Sequence, residues 1–340
     1  MDERSRILLI YTGGTIGMVH DHERDVLLPF RFEQLLDHVP ELKAFDIDIE
    51  TIQLSRIVDS SDMRPELWVE LVGLIEHHYA DYDGFVILHG TDTLAFTASA
   101  LSFMVQGLSK PIVLTGSQLP IGMIRTDGKE NLITAIEVAS TKKFEEALIP
   151  EVAVYFEYRL MRGNRVTKYS AEHFDAFHSP NYPNLAEAGV DLVYNHPYLR
   201  HSGPEQPTFH KHIEEQIALL KLFPGISEDA VNCILQGNAQ GVILESFGAG
   251  NGPTSPMFLR ALKTAVDSGK TILNISQCLA GSVQHGRYAT SAAFDEIGII
   301  SGGDMTLESG ITKLMHVLGN YSGAEAIKEK LLESIAGERD

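Results

Sequence analysis

Arg6-Ile7-Leu8-Leu9-Ile10-Tyr11-Thr12-Gly13-Gly14-Thr15-Ile16-Gly17 joins an aliphatic run to a glycine turn that presents a threonine. A short unbroken apolar run closed by turn residues is the pattern of a strand covered on both faces, as in a parallel sheet. Phe85-Val86-Ile87-Leu88 repeats the arrangement and runs into His89-Gly90-Thr91-Asp92-Thr93. Ligands of open parallel sheets sit beyond the carboxyl ends of the strands, so each threonine stands where chemistry is usually done.

Outward from these two segments, strands alternate with helical stretches. Pro65 to Tyr79 has amphipathic spacing, with Leu67, Leu71, Leu74 and Ile75 on one face. A strand over Phe85 to His89, a helix over Ala95 to Val105, a strand over Pro111 to Gly116 and a helix over Lys129 to Ser140 follow. This βαβ alternation predicts right-handed crossovers and an α/β fold with a doubly wound, mostly parallel sheet. Between Pro180 and Pro207 prolines, asparagines and glycines accumulate and the periods fade. Alternation resumes at Val242-Ile243-Leu244, with helices expected over Phe258 to Ser268, Leu307 to Leu318 and Ala324 to Ile335, and a strand over Thr271 to Ile275. The expected organisation is a large N-terminal catalytic α/β domain over 1–190, a linker over 191–214 and a smaller C-terminal α/β domain over 215–340.

Composition narrows the function. A chain of 340 residues, 44% of them apolar, can bury a substantial core. A formal charge of −19 disfavours nucleic acid and anionic membrane as partners, since both need a cationic footprint. No apolar run approaches the roughly 20 residues that span a bilayer, and the first strand begins too near Met1 for a secretory signal to be expected. Cys233 and Cys278 are too few for a disulfide framework and fit a reducing compartment, so the cytoplasm is the expected location.

The first glycine turn does not fit the dinucleotide pattern G-x-G-x-x-G, and no Gly-Lys-Ser or Gly-Lys-Thr marks a P-loop. What remains is a threonine on a glycine turn, a Thr-Asp pair at a strand end, and a cationic stretch, Arg162-Gly163-Asn164-Arg165-Val166-Thr167-Lys168. A hydroxyl nucleophile needs a base beside it, and a partly buried Lys168 would serve. Each feature also has a plainer reading. Asp92 at a strand-to-helix junction would be an N-cap, Ser60-Ser61-Asp62 a loop entering a capped helix, and Lys168 a solvated charge.

Taken together, the order Thr12-Gly13-Gly14-Thr15-Ile16-Gly17, Asp59-Ser60-Ser61-Asp62-Met63, His89-Gly90-Thr91-Asp92-Thr93, Thr115-Gly116-Ser117-Gln118 and Arg162-Gly163-Asn164-Arg165-Val166-Thr167-Lys168 closely resembles the bacterial L-asparaginases, in their cytoplasmic type I branch. The resemblance covers nearly the whole chain. It implies hydrolysis of L-asparagine to ammonia and L-aspartate, without metal or cofactor, with Thr15 as nucleophile and Thr91, Asp92 and Lys168 as a supporting triad. Which threonine attacks first stays open. Asp59, Ser60 and Ser61, with Thr91 and Asp92, would bind the substrate. A zwitterion's backbone end needs an acidic acceptor and neutral donors, which that set supplies. The resemblance also implies self-association as a homotetramer built from two dimers.

Two departures from the family pattern stand out. The family carries a tyrosine on a lid after the first threonine, whereas no tyrosine lies between Thr15 and Pro29 here and Leu27 stands near its place. Val19 to Leu28 is polar enough to be the lid; His20 or His22 would be the substitutes, although ordinary exposed histidines are the plainer reading. In similar type I enzymes an arginine in the C-terminal domain pairs with the carboxylate of an allosteric asparagine, and Glu245 stands at that place. Reversed charge there predicts hyperbolic kinetics. Ser276, Gln277 and Cys278 match the rest of that segment, with Asn251 as a further contributor; Cys278 alone reads as a small buried residue after a strand.

The same residues admit other readings. A glutaminase-asparaginase differs by one methylene, worth only about 1–3 kcal/mol of discrimination. The related amidotransferase subunit carries an additional N-terminal domain, which this chain is not expected to have. A silent amino-acid sensor would keep the fold and lose turnover. A metalloenzyme is disfavoured because His20/His22, His77-His78 and His210/His212 lack the companions of a zinc site.

Overall fold

In the computed structural model, which describes residues 4–21, 26–29, 39–201, 206–286 and 289–340, the first strand is β1 (Ser5–Tyr11). Its Ile7, Leu8, Leu9 and Ile10 are all inaccessible, so the strand requires cover on both sides. It lies between β2 (Ile47–Gln53) and β3 (Gly84–Leu88), parallel to both. Beyond β3 come β4 (Ile112–Thr115) and β5 (Val152–Phe156), again parallel. The sheet then turns antiparallel through β6 (Arg159–Arg162), β7 (Ala186–Ala188) and β8 (Leu192–Tyr194). Among the described residues the order across it is β8-β7-β6-β5-β4-β3-β1-β2.

The chain leaves β1 for β2 on one side and reaches β3 on the other, so the strand order reverses between β1 and β3. Such a switch point opens a crevice at the carboxyl ends of the strands. Both threonine turns leave from it.

Helices α1 (Pro65–His78), α2 (Leu94–Met104) and α3 (Gly128–Ser140) fall where the periodicity put them, within a residue or two. The face of α1 is rotated from the expectation. Trp68, Leu71, Val72 and Ile75 are buried, while Leu67 and Leu74 are only half-buried. Trp68 accounts for the difference: its indole N–H reaches Thr97 Oγ1 of α2 at 2.9 Å, which turns that side inward. Helix α2 has almost no polar face, and Leu94, Ala98, Leu101, Phe103 and Met104 are inaccessible or nearly so.

The chain separates into two units, Met1–Lys211 and His212–Asp340. The linker expected over 191–214 therefore lies almost wholly within the first unit. Leu192–Tyr194 belongs to its sheet, and Thr208–Phe209 pairs with Val105–Gln106. Strands of two or three residues carry no readable period, and the prolines between them mimic a linker.

In the second unit β9 (Ile217–Lys221), β10 (Gly241–Ser246), β11 (Thr271–Ser276) and β12 (Ile300–Ser301) form a parallel sheet in that order. Successive residues of β10 feed opposite cores, as the period of two requires. Val242 and Leu244 join Phe258, Leu262 and Phe294, whereas Ile243 joins Leu273, Ile275, Leu314 and Val317. Around the sheet are α4 (Glu228–Leu235), α5 (Pro256–Asp267), α6 (Ala289–Ile297), α7 (Leu307–Asn320) and α8 (Ala324–Leu332). Ser227, Ser255 and Thr306 cap α4, α5 and α7 with their side-chain oxygens.

Helix α8 stops at Leu332, short of the expected Ile335. Lys313 of α7, fully buried, donates to the carbonyls of Leu331 and Glu333 and pairs with the equally buried Glu338. Glu338 in turn accepts the N–H groups of Ile335 and Ala336. These bonds take the carbonyls and N–H groups that another helical turn would need. Burial pulls the Lys313 pKa down, against the pull of Glu338.

Candidate active site

Two glycines bring the threonine turns together. Gly14, at φ +89°, presents its bare Cα to the other turn: a Cβ placed there would lie 2.4 Å from Gly90 Cα and 2.5 Å from Gly90 N. The backbones after β1 and β3 are thus in contact, and only glycine permits it. A Cβ on Gly90 would meet Ser60 Oγ at 2.6 Å, and one on Gly13 would meet Val58 O at 1.9 Å. The segment before Asp59 packs on the same junction. Thr15, Thr91 and the Asp59–Ser61 turn converge through main-chain contacts.

The turn after β3 is held from several sides. Lys168 Nζ donates to Thr91 Oγ1 at 2.9 Å and to Asp92 Oδ1 at 2.6 Å. Its side chain is only 18% exposed while that of Asp92 is 60% exposed, so the pair straddles the surface. Lys168 is placed by a short ladder, Thr167–Lys168 with Phe177–His178. The plainer readings of both residues fail: Lys168 is paired rather than solvated, and the N-cap position of α2 is Thr93, not Asp92. Arg162 and Arg165, in the same cationic stretch, are 5% and 1% exposed. Arg162 is bound to Glu151 at 2.6 Å, so these arginines brace the fold.

Ser60 is 4% exposed. Its Oγ accepts Asp92 N–H at 3.2 Å and its carbonyl accepts the Thr93 hydroxyl at 2.6 Å, which locks the two loops. Asp59 and Ser61 are exposed. Asp59 Oδ1 accepts the N–H of Ser61 at 2.9 Å and its hydroxyl at 2.8 Å. These bonds hold the Asp59 carboxyl below its usual pKa, the backbone bond contributing most. A short 3-10 turn, Ser60–Asp62, results, with Asp59 as its cap; α1 starts separately after Arg64.

Three groups that the motifs did not reveal complete the frame. His89 is fully buried. Its Nδ1 lies 2.7 Å from Gly90 O and its Nε2 2.9 Å from Thr97 Oγ1. A carbonyl only accepts, so Nδ1 carries the proton and Nε2 accepts from Thr97. Burial pushes the His89 pKa down to about 4, which keeps it neutral. Because the peptide unit is planar, the bond to Gly90 O also turns the Thr91 N–H the opposite way. Asp127, buried and with its pKa raised by that burial, accepts the N–H groups of Gln118 at 2.8 Å and Leu119 at 3.1 Å. Gln118 itself accepts from the Thr91 hydroxyl. His89 and Gln118 stood within the quoted motifs, but their partners lie 8 and 27 residues away.

Among the described residues, Thr15 Oγ1 and the N–H groups of Thr15, Gly90 and Thr91 have no hydrogen-bond partner in the chain. One hydroxyl and three donors are therefore unclaimed at one junction. The segment expected as a lid carries an antiparallel pairing of Met18–Asp21 with Val26–Pro29, Leu27 opposite His20. His22 lies outside the described residues. No group of three or more His, Cys, Asp or Glu with metal-binding geometry occurs among the described residues, and no helix there is long and apolar enough to cross a membrane.

In the second unit, Glu245, Ser276 and Gln277 gather at the carboxyl ends of β10 and β11. Glu245 is 5% exposed, and its Oε1 accepts Lys221 Nζ at 2.8 Å. Gln277 Nε2 donates to the carbonyls of Leu222 at 2.6 Å and Glu245 at 2.9 Å. Ser276 Oγ donates to Gly248 O at 2.6 Å. Asn251 pairs through its backbone with Phe247. Cys278 is exposed, contrary to the expectation of a buried residue, because β11 ends at Ser276 and its N–H is already in a turn held by Ser276 Oγ.

Similarity to known proteins extends over nearly the whole chain. The asparaginase N-terminal family model matches residues 6–200, and the glutaminase/asparaginase C-terminal domain matches residues 216–331. L-asparaginase 1 of Escherichia coli strain K12 is 41% identical over 338 residues, covering 99% of this chain and 98% of that one. A mouse protein named 60 kDa lysophospholipase is also 41% identical, over 98% of this chain but only 62% of its own length. The crystal structure of L-asparaginase I from Vibrio cholerae superposes with a TM-score of 0.90 at 37% identity, covering 99% of this chain and all (100%) of that one. With both domains matched and relatives of this identity aligned end to end, the chain belongs to the asparaginase family.

Proposed function

We propose that this chain is an L-asparagine amidohydrolase that releases ammonia and L-aspartate through a threonine nucleophile. One observation carries the assignment of roles. Lys168 is bonded at once to Thr91 and Asp92, and the backbone contact of Gly14 with Gly90 sets that trio beside the unclaimed hydroxyl of Thr15.

In this reading Thr15 Oγ attacks the side-chain amide carbon. The tetrahedral oxyanion is received by the unclaimed N–H groups at the Gly90–Thr91 turn, each worth about 3–4 kcal/mol of transition-state stabilisation. Collapse expels the amide nitrogen, which takes up a proton and leaves as ammonia, and a β-aspartyl ester remains on Thr15. Thr91 and Lys168 activate water, which cleaves the ester; the hydroxyl regains its proton and aspartate departs. Asp59, Ser61 and Asp92 offer the acceptors and donors for the α-amino and α-carboxylate groups. Ser60 contributes mainly by fixing Asp92. No metal or cofactor takes part.

The same reading extends to setting. Two free, exposed cysteines suit a reducing cytoplasm. Apolar side chains left in solvent, Ile124 and Val190 above all, are suited to burial between copies in a homotetramer. The occupied Glu245–Lys221 pair favours an enzyme without asparagine activation. This chain covers 62% of the mouse relative, and that protein's named activity is not carried over.

The test is ammonia release from L-asparagine and L-glutamine by the wild type, Thr15→Ala and Lys168→Met. Asparagine turnover that falls by several orders of magnitude in both variants is expected. Near-normal turnover in Thr15→Ala would remove the nucleophile assignment, and faster turnover of glutamine would replace the substrate.

A further inference from the structure

The hydroxyl of Thr91 has one proton and two lone pairs to place. One lone pair receives Lys168 Nζ at 2.9 Å. The proton is directed to Gln118 Oε1 at 3.3 Å. The orientation of that amide follows from its other end: Gln118 Nε2 donates to the carbonyl of His173 at 3.0 Å, which can only accept, so Oε1 must be the atom facing Thr91. The backbone of Gln118 is equally constrained, because its N–H is held by buried Asp127 at 2.8 Å.

His173 sits in the turn between the strand that carries Lys168 and its partner strand, and Ser170 Oγ fixes that turn by accepting His173 N–H at 3.0 Å. Lys168 and the anchor of Gln118 thus hang from one hairpin. They approach the same oxygen with opposite demands, one donating and one accepting.

We infer that Gln118 is a positioning residue that orients the Thr91 hydroxyl. By taking the proton, it leaves a single unassigned lone pair on Thr91, directed away from both Lys168 and Gln118, to receive a donor from water or substrate. Without Gln118 the hydroxyl rotates freely and spends part of its time pointing that lone pair elsewhere. The inference rests on the reading of Thr91 and Lys168 as a catalytic pair.

Steady-state kinetics on L-asparagine for Gln118→Met, Gln118→Glu and Thr91→Val test it. Gln118→Met matches the shape and removes the acceptor; kcat should fall about tenfold, within the range for losing an oriented catalytic contact, with KM changed less than about twofold and an unchanged melting temperature. Gln118→Glu restores an acceptor oxygen toward Thr91 while giving up the donor to His173, so it should regain part of that kcat. Wild-type kcat in Gln118→Met, or equal losses in the Met and Glu variants, would overturn the inference. Thr91→Val separates the two levels: if it retains turnover, the catalytic pair itself is wrong, whereas if it is inactive and Gln118→Met is normal, only the role of Gln118 falls.

Discussion

Acidification should loosen the protein through one buried imidazole. His89 is inaccessible, bonded on both ring nitrogens and neutral, with its pKa pushed from 6.5 to about 4 chiefly by burial. The folded value lies below the unfolded one, so the stability it confers is complete above about pH 6.5 and is lost as pH falls toward 4. With these two values the linkage relation gives a loss of about 2 kcal/mol between pH 7 and pH 5, and at most about 3 kcal/mol in stronger acid. The assay is urea unfolding followed by far-ultraviolet circular dichroism at both pH values, at one protein concentration, for wild type and His89→Asn. Asparagine keeps an N–H near Gly90 O and cannot titrate. The variant should begin less stable, yet lose about 2 kcal/mol less on going from pH 7 to pH 5. Groups that titrate in both proteins cancel in that comparison, so equal losses would refute the role given to His89.

Gly14→Ala should leave a folded protein with turnover reduced about 100-fold, because the added methyl forces the Gly90 turn away by a substantial fraction of an ångström or more; unchanged kcat would mean that the two turns need not touch. Lys313→Met strands the buried Glu338 carboxylate and should cost about 3–5 kcal/mol in chemical denaturation, whereas a cost near zero would show that the C-terminal segment does not depend on that bond. The initial rate against asparagine concentration should be hyperbolic, since Glu245 is buried and paired with Lys221; a Hill coefficient clearly above one would contradict this.

The parallel half of the larger sheet was legible because β1, β3 and β4 are uninterrupted aliphatic runs that no solvent-facing alternation disguises. The antiparallel half was not. β6 begins and ends on arginines, and β7 and β8 are three residues long, so their pairing is a tertiary fact with little local signal. The face of α1 was misjudged by one position, since an indole N–H seeking Thr97 outweighed the leucine spacing. At the site, spacing singled out Thr15, Thr91, Asp92 and Lys168 as residue types suited to nucleophilic chemistry, and their order along the chain carried the family resemblance. What joins them could not be read: the Gly14–Gly90 contact, the tautomer of His89 and the grip of Asp127 on Gln118 all arise between segments distant in sequence. Lys168, which alone reads as a solvated charge, proved to be paired, and its neighbours Arg162 and Arg165 are buried, for the same reason.

Trp68, the chain's single tryptophan, is joined to the carbonyl of Gly90 by three hydrogen bonds, through Thr97 and His89. The protein therefore carries its own optical probe. Indole emission answers to the polarity and charge around the ring, and a protonated imidazole is a strong quencher, so the emission of unmodified protein should dim as His89 gains its proton. It should shift to the red only later, when the core admits water. A separation between those two signals on an acid titration would time the loss of the Thr97–His89 bond against the loss of the fold, with no label and no substitution.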